Sequence, residues 1–489
     1  MSKESTSPNL KHAVAKGFLW GGMSNAFCQL LNLFFGIFLA RTLGPEDFGP
    51  IGMLAIFSAI AGSLQDSGFV AALANRKKVE HDDYNAVFWF NVLISLVMYV
   101  LLFAAAPLIV DFFDEPSLLW LSRYIFLGFV VAGFGIAPSA YLFRELKVRE
   151  KSIAIILSII ISGSVGIIMA VNGYSYWGIA TQSILYVLVR TVVYWWYTPW
   201  RPGLKVNFFP LKYLFAFSYR LLITNVFLRV NWNVFSVILG GNKLYGSADV
   251  GNYTKAAEWM TMGADTVNGM VNGLAQPVLA KVADDKDMQL HVFRRMLRFT
   301  AFVSFPLLFG LSLVAPEVIV IAITDKWIES AHMLRILALW GAFMPIQSMF
   351  THLLVSCGKS RIYMWGTMIQ GIVVLVLLVS MAPLGIDGMM TSYVVFNAIW
   401  LFVWRYFAGK EISLTTGMFL RDTLPFALLS LVVMLVTYRI TLNIGNIYTL
   451  LAVRVVSAAF MYLSVLLLVR NRELREAVNY LLKRKSKES

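Results

Sequence analysis

The chain has 489 residues, is 58% hydrophobic and carries only 14% charged residues, where a soluble domain carries about 25%. Its apolar residues fall in runs of about 20, the length that crosses a hydrocarbon core of roughly 30 Å, so an all-α polytopic membrane protein is indicated rather than a soluble fold. The net charge of +14 is spread singly and in small clusters between those runs, with no basic patch carrying stacking aromatics, which argues against a nucleic-acid partner.

At the N-terminus, "MSKESTSPNLKHAVAKG" leads into no short apolar core with a small-residue cleavage site, so the first span is expected to remain in the mature protein. Apolar runs read against polar breaks predict about fourteen transmembrane helices, starting near residues 14, 50, 86, 118, 152, 178, 212, 251, 291, 331, 361, 388, 421 and 446. The breaks carry turn chemistry, as in "DFFDEPS" at 111–117, "NGYSYWG" at 172–178, "TPWRPG" at 198–203 and "APLGIDG" at 382–388. Alternate breaks are basic, with Arg76, Lys77 and Lys78, then Arg144, Lys147, Arg149 and Lys151, then Arg201, Lys205 and Lys212, and so on to Arg405 and Lys410. The others collect Glu46, Asp47, Asp111, Asp114, Glu115, Asp249, Asp325, Glu329 and Asp387. By the positive-inside rule both termini are cytoplasmic and the acidic turns face outward. The tail "RNRELREAVNYLLKRKSKES" sets Leu474, Val478 and Leu481 at helical spacing among bases. It reads either as a cytoplasmic helix on anionic lipid or as a solvated basic end. Cys28 and Cys357 give neither a disulfide framework nor a metal-ligand spacing, and no cofactor is expected. With no Walker-type loop, ATP use is not expected.

One turn is written twice. "LGPEDFGP" (Leu43 to Pro50) follows the first span, and "YGSADVGN" (Tyr245 to Asn252) follows the seventh, with Gly, Asp and Gly at the same spacing. An even number of spans separates them, which predicts a parallel repeat about an axis along the membrane normal. The expected plan is an N-lobe of six spans (1–200), a C-lobe of six (201–410), two extra spans (411–470) and a basic cytoplasmic tail (471–489). The acids of each turn open the following helix, where negative charge meets the positive end of the dipole.

The least apolar spans carry their polar residues on helical faces. Span 1 has Asn25, Gln29 and Asn32; span 2 has Ser58, Gly62 and Asp66; span 7 has Asn225, Arg229 and Asn233; span 8 has Glu258, Asp265, Asn268, Asn272 and Gln276. A polar stripe facing lipid is expensive, so these faces are expected to line a wet cavity shared by the lobes. Arg229 lies near mid-span, and Arg190 in span 6 is flanked by Tyr186 and Tyr194 at four residues either side. Each arginine calls for an anion, which is either one of the acids Asp66, Glu258 and Asp265 or a ligand phosphate. Arg220, nearer the cytoplasmic end of span 7, is a third cation that can instead snorkel. Arg454 in span 14 lies outside the repeat and reads as structural or lipid-facing.

The stretch Leu39 to Pro116 resembles polysaccharide flippases of the Wzx type, above all the colanic-acid and teichuronic-acid exporter branch. That branch reads L-x-P-E-D-F-G, D-x-G-x-x-A-A-L, a short basic patch, V-F-W-x-N and A-P-x-I-x-x-F-F-x-E-P. These stand here at Leu43–Gly49, Asp66–Leu73, Arg76–Lys78, Val87–Asn91 and Ala106–Pro116. The specific match covers roughly the first 150 residues. The resemblance implies the multidrug/oligosaccharidyl-lipid/polysaccharide exporter superfamily, with two six-helix lobes around a central cavity, in the bacterial inner membrane. It implies movement of an undecaprenyl-diphosphate-linked oligosaccharide to the outer leaflet, alongside a polymerase and chain-length proteins of the same pathway. On that expectation Arg229, with Arg190 or Arg220, holds the anionic head group. Asn225, Asn233, Asn25, Gln29, Asn32 and Asn272 line the path, and Asp66, Glu258 or Asp265 exchanges protons or cations. Two rivals stand beside it. One is an ion-coupled exporter of small molecules from the same superfamily, which would favour an acidic, aromatic cavity. The other is a membrane glycosyltransferase or polymerase using "DFFDE" at Asp111–Glu115, although the outer loops are short for such an enzyme. "HDD" at His81–Asp83 lacks further ligands for a metal.

Overall fold

The structure, a computed structural model, describes residues 8–66, 69–70, 73, 79–205, 207–241, 244–272 and 275–476. Helices form where the apolar runs are, because hydrocarbon offers no partner to an unpaired amide and each run must close its own hydrogen bonds. In chain order they are α1 (Pro8–Thr42), α2 (Pro45–Asp66), α3 (His81–Phe113), α4 (Leu118–Ile125), α5 (Leu127–Arg144), α6 (Val148–Val171), α7 (Tyr176–Tyr197), α8 (Phe209–Gly241) and α9 (Ser247–Asn272). They continue as α10 (Ala275–Lys281), α11 (Lys286–Ile323), α12 (Ile328–Gly341), α13 (Met344–Ser356), α14 (Ser360–Met381), α15 (Gly385–Ile412), α16 (Thr416–Ile440) and α17 (Ile447–Leu468).

Ten stretches of the described residues are long and apolar enough to cross a membrane, and the longest, Ser360–Ile412, holds both α14 and α15. The long helices α1, α7 and α9 stand outside that set, and with them the spans come to about fourteen, as the sequence predicts. Two spans that the apolar runs present as continuous are broken, beside Gly128 in one and between Gly341 and Pro345 in the other. Leu118–Arg144 bends between α4 and α5 at Phe126, and Asp325–Ser356 between α12 and α13 at Ala342 and Phe343.

The chain forms two compact units, residues 1–251 and 252–489, so the boundary falls within α9. In the first unit α6 packs on α1 and α7, α5 bridges α3 and α7, and α2 lies along α8. Gly163 lets α6 close on α1, since a methyl there would stand 2.5 Å from the Phe35 ring. The segment after α7 is strapped to the start of α3. Asn85 Nδ2 donates to the Lys205 carbonyl (2.7 Å), Trp89 Nε1 donates to that of Gly203 (2.8 Å), and Trp200 packs on Tyr84, Phe88 and Trp195.

The second unit is built around α11, which packs on α12, α16 and α17 and contributes Phe293, Leu297 and Phe305 to a core with Phe350 and Trp404. Several of its charges are paired. Asp422, 3% exposed, accepts from Arg294 Nε (2.6 Å) and Arg298 Nη1 (3.2 Å). Arg298 and Arg295 also hold Glu473 (2.8 Å) and Glu476 (2.7 Å), so protein charges grip the first turn of the tail. Residues 477–489, including Val478 and Leu481, lie outside the described residues. Arg454 is structural. It is buried, and its guanidinium donates to Glu317 Oε1 (2.6 Å), Thr441 Oγ1 (3.1 Å) and the Leu313 carbonyl (3.3 Å).

The duplicated turn folds twice in the same way. The Gly44 amide donates to Asp47 Oδ2 (3.0 Å), and the Gly246 amide donates to Asp249 Oδ2 (2.9 Å). Asp47 also accepts from the Ser175 hydroxyl, and Ser247 donates to Glu115 (2.6 Å). The two turns cross at their glycines. A methyl on Gly49 would stand 2.0 Å from the Ser247 carbonyl, and one on Gly251 1.9 Å from that of Pro45. Gly251→Ala is therefore expected to lower the thermal unfolding temperature by a few degrees, through overpacking worth about 1–3 kcal/mol. Gly246→Ala is the control, because its methyl meets nothing within 4 Å. An unchanged melting temperature for Gly251→Ala would mean that the turns part without cost.

Candidate functional site

Within the first unit, α2, α5, α7 and α8 enclose a cavity of about 670 Å³. Its walls owe their polarity to short side chains placed one or two to a helix. Ser58 and Ser63 come from α2, Ser139 from α5, and Ser183 and Thr191 from α7. Gly62 opens one wall, since a methyl there would meet no atom within 4 Å. At the α2 end lies Gln65, buried, its Nε2 donating to Ser95 Oγ (2.7 Å) and to the Phe129 carbonyl (2.6 Å).

Two cations reach this space, Arg190 from α7 and Arg229 from α8, with Asn225 one helical turn before Arg229. The Arg190 guanidinium lies over the Tyr186 ring, 5.1 Å from its centroid, an attraction worth about 0.5–2 kcal/mol. Neither guanidinium makes a hydrogen bond or an ion pair among the described residues. The described lining contains no Asp, Glu, His or Cys. It therefore offers no metal-ligand set and no internal counter-ion, but two guanidinium groups, an amide and several hydroxyls. Such a surface suits a multiply charged anion that also carries hydroxyls.

The structure thus brings Arg190, Arg229 and Asn225 together. Asn233 turns back along its own helix, donating from Nδ2 to the Arg229 carbonyl (2.8 Å). Asn25, Gln29 and Asn32 are exposed on α1 and do not line this cavity. In the second unit, Glu258 accepts from Lys255 Nζ at 2.7 Å, and exposed Asp265 accepts from Asn268 at 3.4 Å. The side chains of Asp66, Arg220, Asn272 and Gln276 lie outside the described residues. Asp83 caps α3 by accepting from the Glu80 amide (2.9 Å), and His81 Nε2 bonds to the Arg201 carbonyl (3.0 Å). Asp114 ends α3 in the left-handed conformation (φ 53°). Asp83, Asp114 and Glu115 are thus occupied with caps and turns. Sequence reading missed Gln65, Ser139 and Thr191. Gln65 and Thr191 stand directly beside Asp66 and Arg190, the charged residues that drew the reading, and Ser139 is a lone polar residue in an apolar run.

Known proteins resemble this chain in sequence and in fold. The family described as "Polysaccharide biosynthesis protein" matches residues 38–332. The teichuronic acid biosynthesis protein TuaB of Bacillus subtilis (strain 168) is 22% identical over 472 residues, 94% of this chain and 96% of that protein. The lipopolysaccharide biosynthesis protein WzxC of Escherichia coli (strain K12) is 24% identical over 360 residues, 72% of each chain. Among solved structures, the lipid II flippase MurJ in an inward closed conformation superposes with a TM-score of 0.71 at 15% identity, covering 93% of this chain and 99% of that one. An inward-facing multidrug resistance transporter of the MATE family gives 0.64 at 17% identity, covering 79% and 94%. At these identities the superpositions establish the fold alone.

Proposed function

The chain belongs to the polysaccharide biosynthesis protein family, and from that premise we propose that it is a flippase for undecaprenyl-diphosphate-linked oligosaccharide repeat units, carrying them from the cytoplasmic to the outer leaflet. One observation carries the reading: two guanidinium groups without counter-ions among the described residues enter a hydroxyl-lined cavity of a membrane protein. A diphosphate supplies the missing charge, and sugar hydroxyls match serine, threonine and amide groups. On this reading the chain makes and breaks no covalent bond. It lowers the cost of taking a head group through hydrocarbon while the lipid tail stays in it, and two six-helix lobes alternate access to the cavity. Asp66, Glu258 and Asp265 remain the residues proposed for proton or cation coupling, and Arg220, Asn233, Asn25, Gln29, Asn32 and Asn272 for the rest of the path. The alternation of basic and acidic loops supports an inner-membrane location with both termini cytoplasmic. A polymerase and chain-length proteins are the proposed partners in the pathway.

The test is reconstitution. Vesicles containing the purified chain and a fluorescent polyprenyl-diphosphate oligosaccharide are expected to expose lumenal substrate to a membrane-impermeant quencher, whereas protein-free vesicles protect it. Equal protection in both would remove the flippase reading.

A further inference from the structure

The second unit contains a separate slot of about 200 Å³ between α11, α12 and α16, walled by Phe309, Leu313, Leu431, Met434 and Leu435, with Arg335 as its one charged lining residue. Arg335 is half-buried. Among the described residues its side chain has no hydrogen bond, ion pair or ring contact, while its main-chain carbonyl accepts from Ser312 Oγ (2.7 Å). Tyr438 turns its ring to the guanidinium of Arg454, 5.4 Å from the ring centroid, and Glu317 pairs through Oε1 with Arg454 and not with Arg335. The slot opens sideways, because Leu431, Leu435 and Tyr438 are 42%, 58% and 38% exposed on a helix that crosses the membrane.

The depth agrees with a lipid head group. At 1.5 Å per residue, Arg335 lies about 10 Å along α12 from Ile328, and Tyr438 lies about 3 Å short of the end of α16. From there an arginine side chain reaches the phosphate level of a leaflet, and the apolar walls beneath meet acyl chains.

We propose that Arg335 and the slot between α11, α12 and α16 hold one anionic phospholipid, its phosphate on the guanidinium and an acyl chain along Leu431 and Leu435. The phosphate completes the hydrogen bonds of a half-buried cation that the protein leaves open, while the chain covers the exposed leucines. The site lies in the second unit and uses none of the residues of the Arg190–Arg229 cavity.

Native mass spectrometry of the full chain with added phosphatidylglycerol, phosphatidylethanolamine or inorganic phosphate tests the idea. The wild type is expected to keep one phosphatidylglycerol through delipidation and to keep phosphatidylethanolamine poorly, and inorganic phosphate is expected not to displace the bound lipid. Arg335→Gln should reduce phosphatidylglycerol retention about tenfold, the scale of a lost charge-assisted hydrogen bond, whereas Arg439→Gln, at the exposed end of α16, should leave it within about twofold. Should Arg335→Gln fail to fold, Leu435→Trp fills the slot without touching the arginine and is expected to lose the lipid as well. Undiminished retention in either slot variant, equal loss in Arg439→Gln, equal retention of the zwitterionic lipid, or displacement by inorganic phosphate would each overturn the proposal.

Discussion

Arg229→Ala is expected to cut translocation of the lipid-linked glycan by about tenfold to a hundredfold, the worth of hydrogen bonds to a charged group. Arg190→Ala is expected to act in the same direction and the double substitution to exceed both, whereas Arg229→Lys should keep part of the activity, retaining the charge but not the planar fork. Stability should move the other way. Neither guanidinium has a counter-ion among the described residues, so removing one takes away an uncompensated cation. Arg229→Ala should therefore melt no lower than the wild type, whereas Arg190→Ala also gives up the contact with the Tyr186 ring. Export measured in cells and in vesicles, alongside thermal unfolding, separates the alternatives. An arginine that only tied helices together would give the reverse result, with export kept and melting lowered. Full export by the double variant would leave the anion reading without support.

The second large effect concerns Glu317 and Arg454. Both side chains are nearly inaccessible, 6% and 5% exposed, and their contact of 2.6 Å neutralises a charge inside a membrane-spanning unit. Glu317→Ala leaves the arginine, among the described residues, with neutral partners alone, Thr441 Oγ1, the Leu313 carbonyl and the Tyr438 ring, and is expected to cost about 3–5 kcal/mol. Arg454→Met strands the carboxylate and should cost a similar amount. The double variant with methionine at both positions should recover most of the loss, because an apolar pair of similar volume replaces a buried ion pair at little net cost. Thermal or denaturant unfolding in detergent reads all three. If each single variant lay within about 1 kcal/mol of the wild type, water would have to reach the pair.

Much of this was legible in the sequence because hydrocarbon enforces a simple rule. A run of about 20 apolar residues must become a helix, so the spans could be read from composition. The repeat was legible because "LGPEDFGP" and "YGSADVGN" keep the capping aspartate and the glycines at fixed spacing, and local capping chemistry needs no tertiary context. The candidate cavity was only partly legible. Arg190 and Arg229 stood out because charge within an apolar run is costly. Periodicity also singled out Asn25, Gln29 and Asn32, but it identifies a face without saying what the face meets, and these three are exposed on α1. The partner of Arg454 could not be read, since Glu317 lies 137 residues away and only packing of α11 on α17 joins them. The bend at Phe126 has Gly128 beside it, but a lone glycine inside an apolar run does not by itself announce a break.

The crossing of the two turns has a further consequence. Pro45 meets Gly251, and Ser247, which stands in the second turn where Pro45 stands in the first, meets Gly49. One contact is made twice with the roles exchanged, which is the form of an isologous interface between two identical subunits, here contained in a single chain. In a true homodimer one substitution alters both copies at once. A duplicated chain is released from that constraint, so "PEDFG" and "SADVG" could drift apart at every side chain that faces elsewhere. The glycines could not drift independently, because each is held by the backbone of the opposite copy, and no change of side chain there makes room for a methyl group.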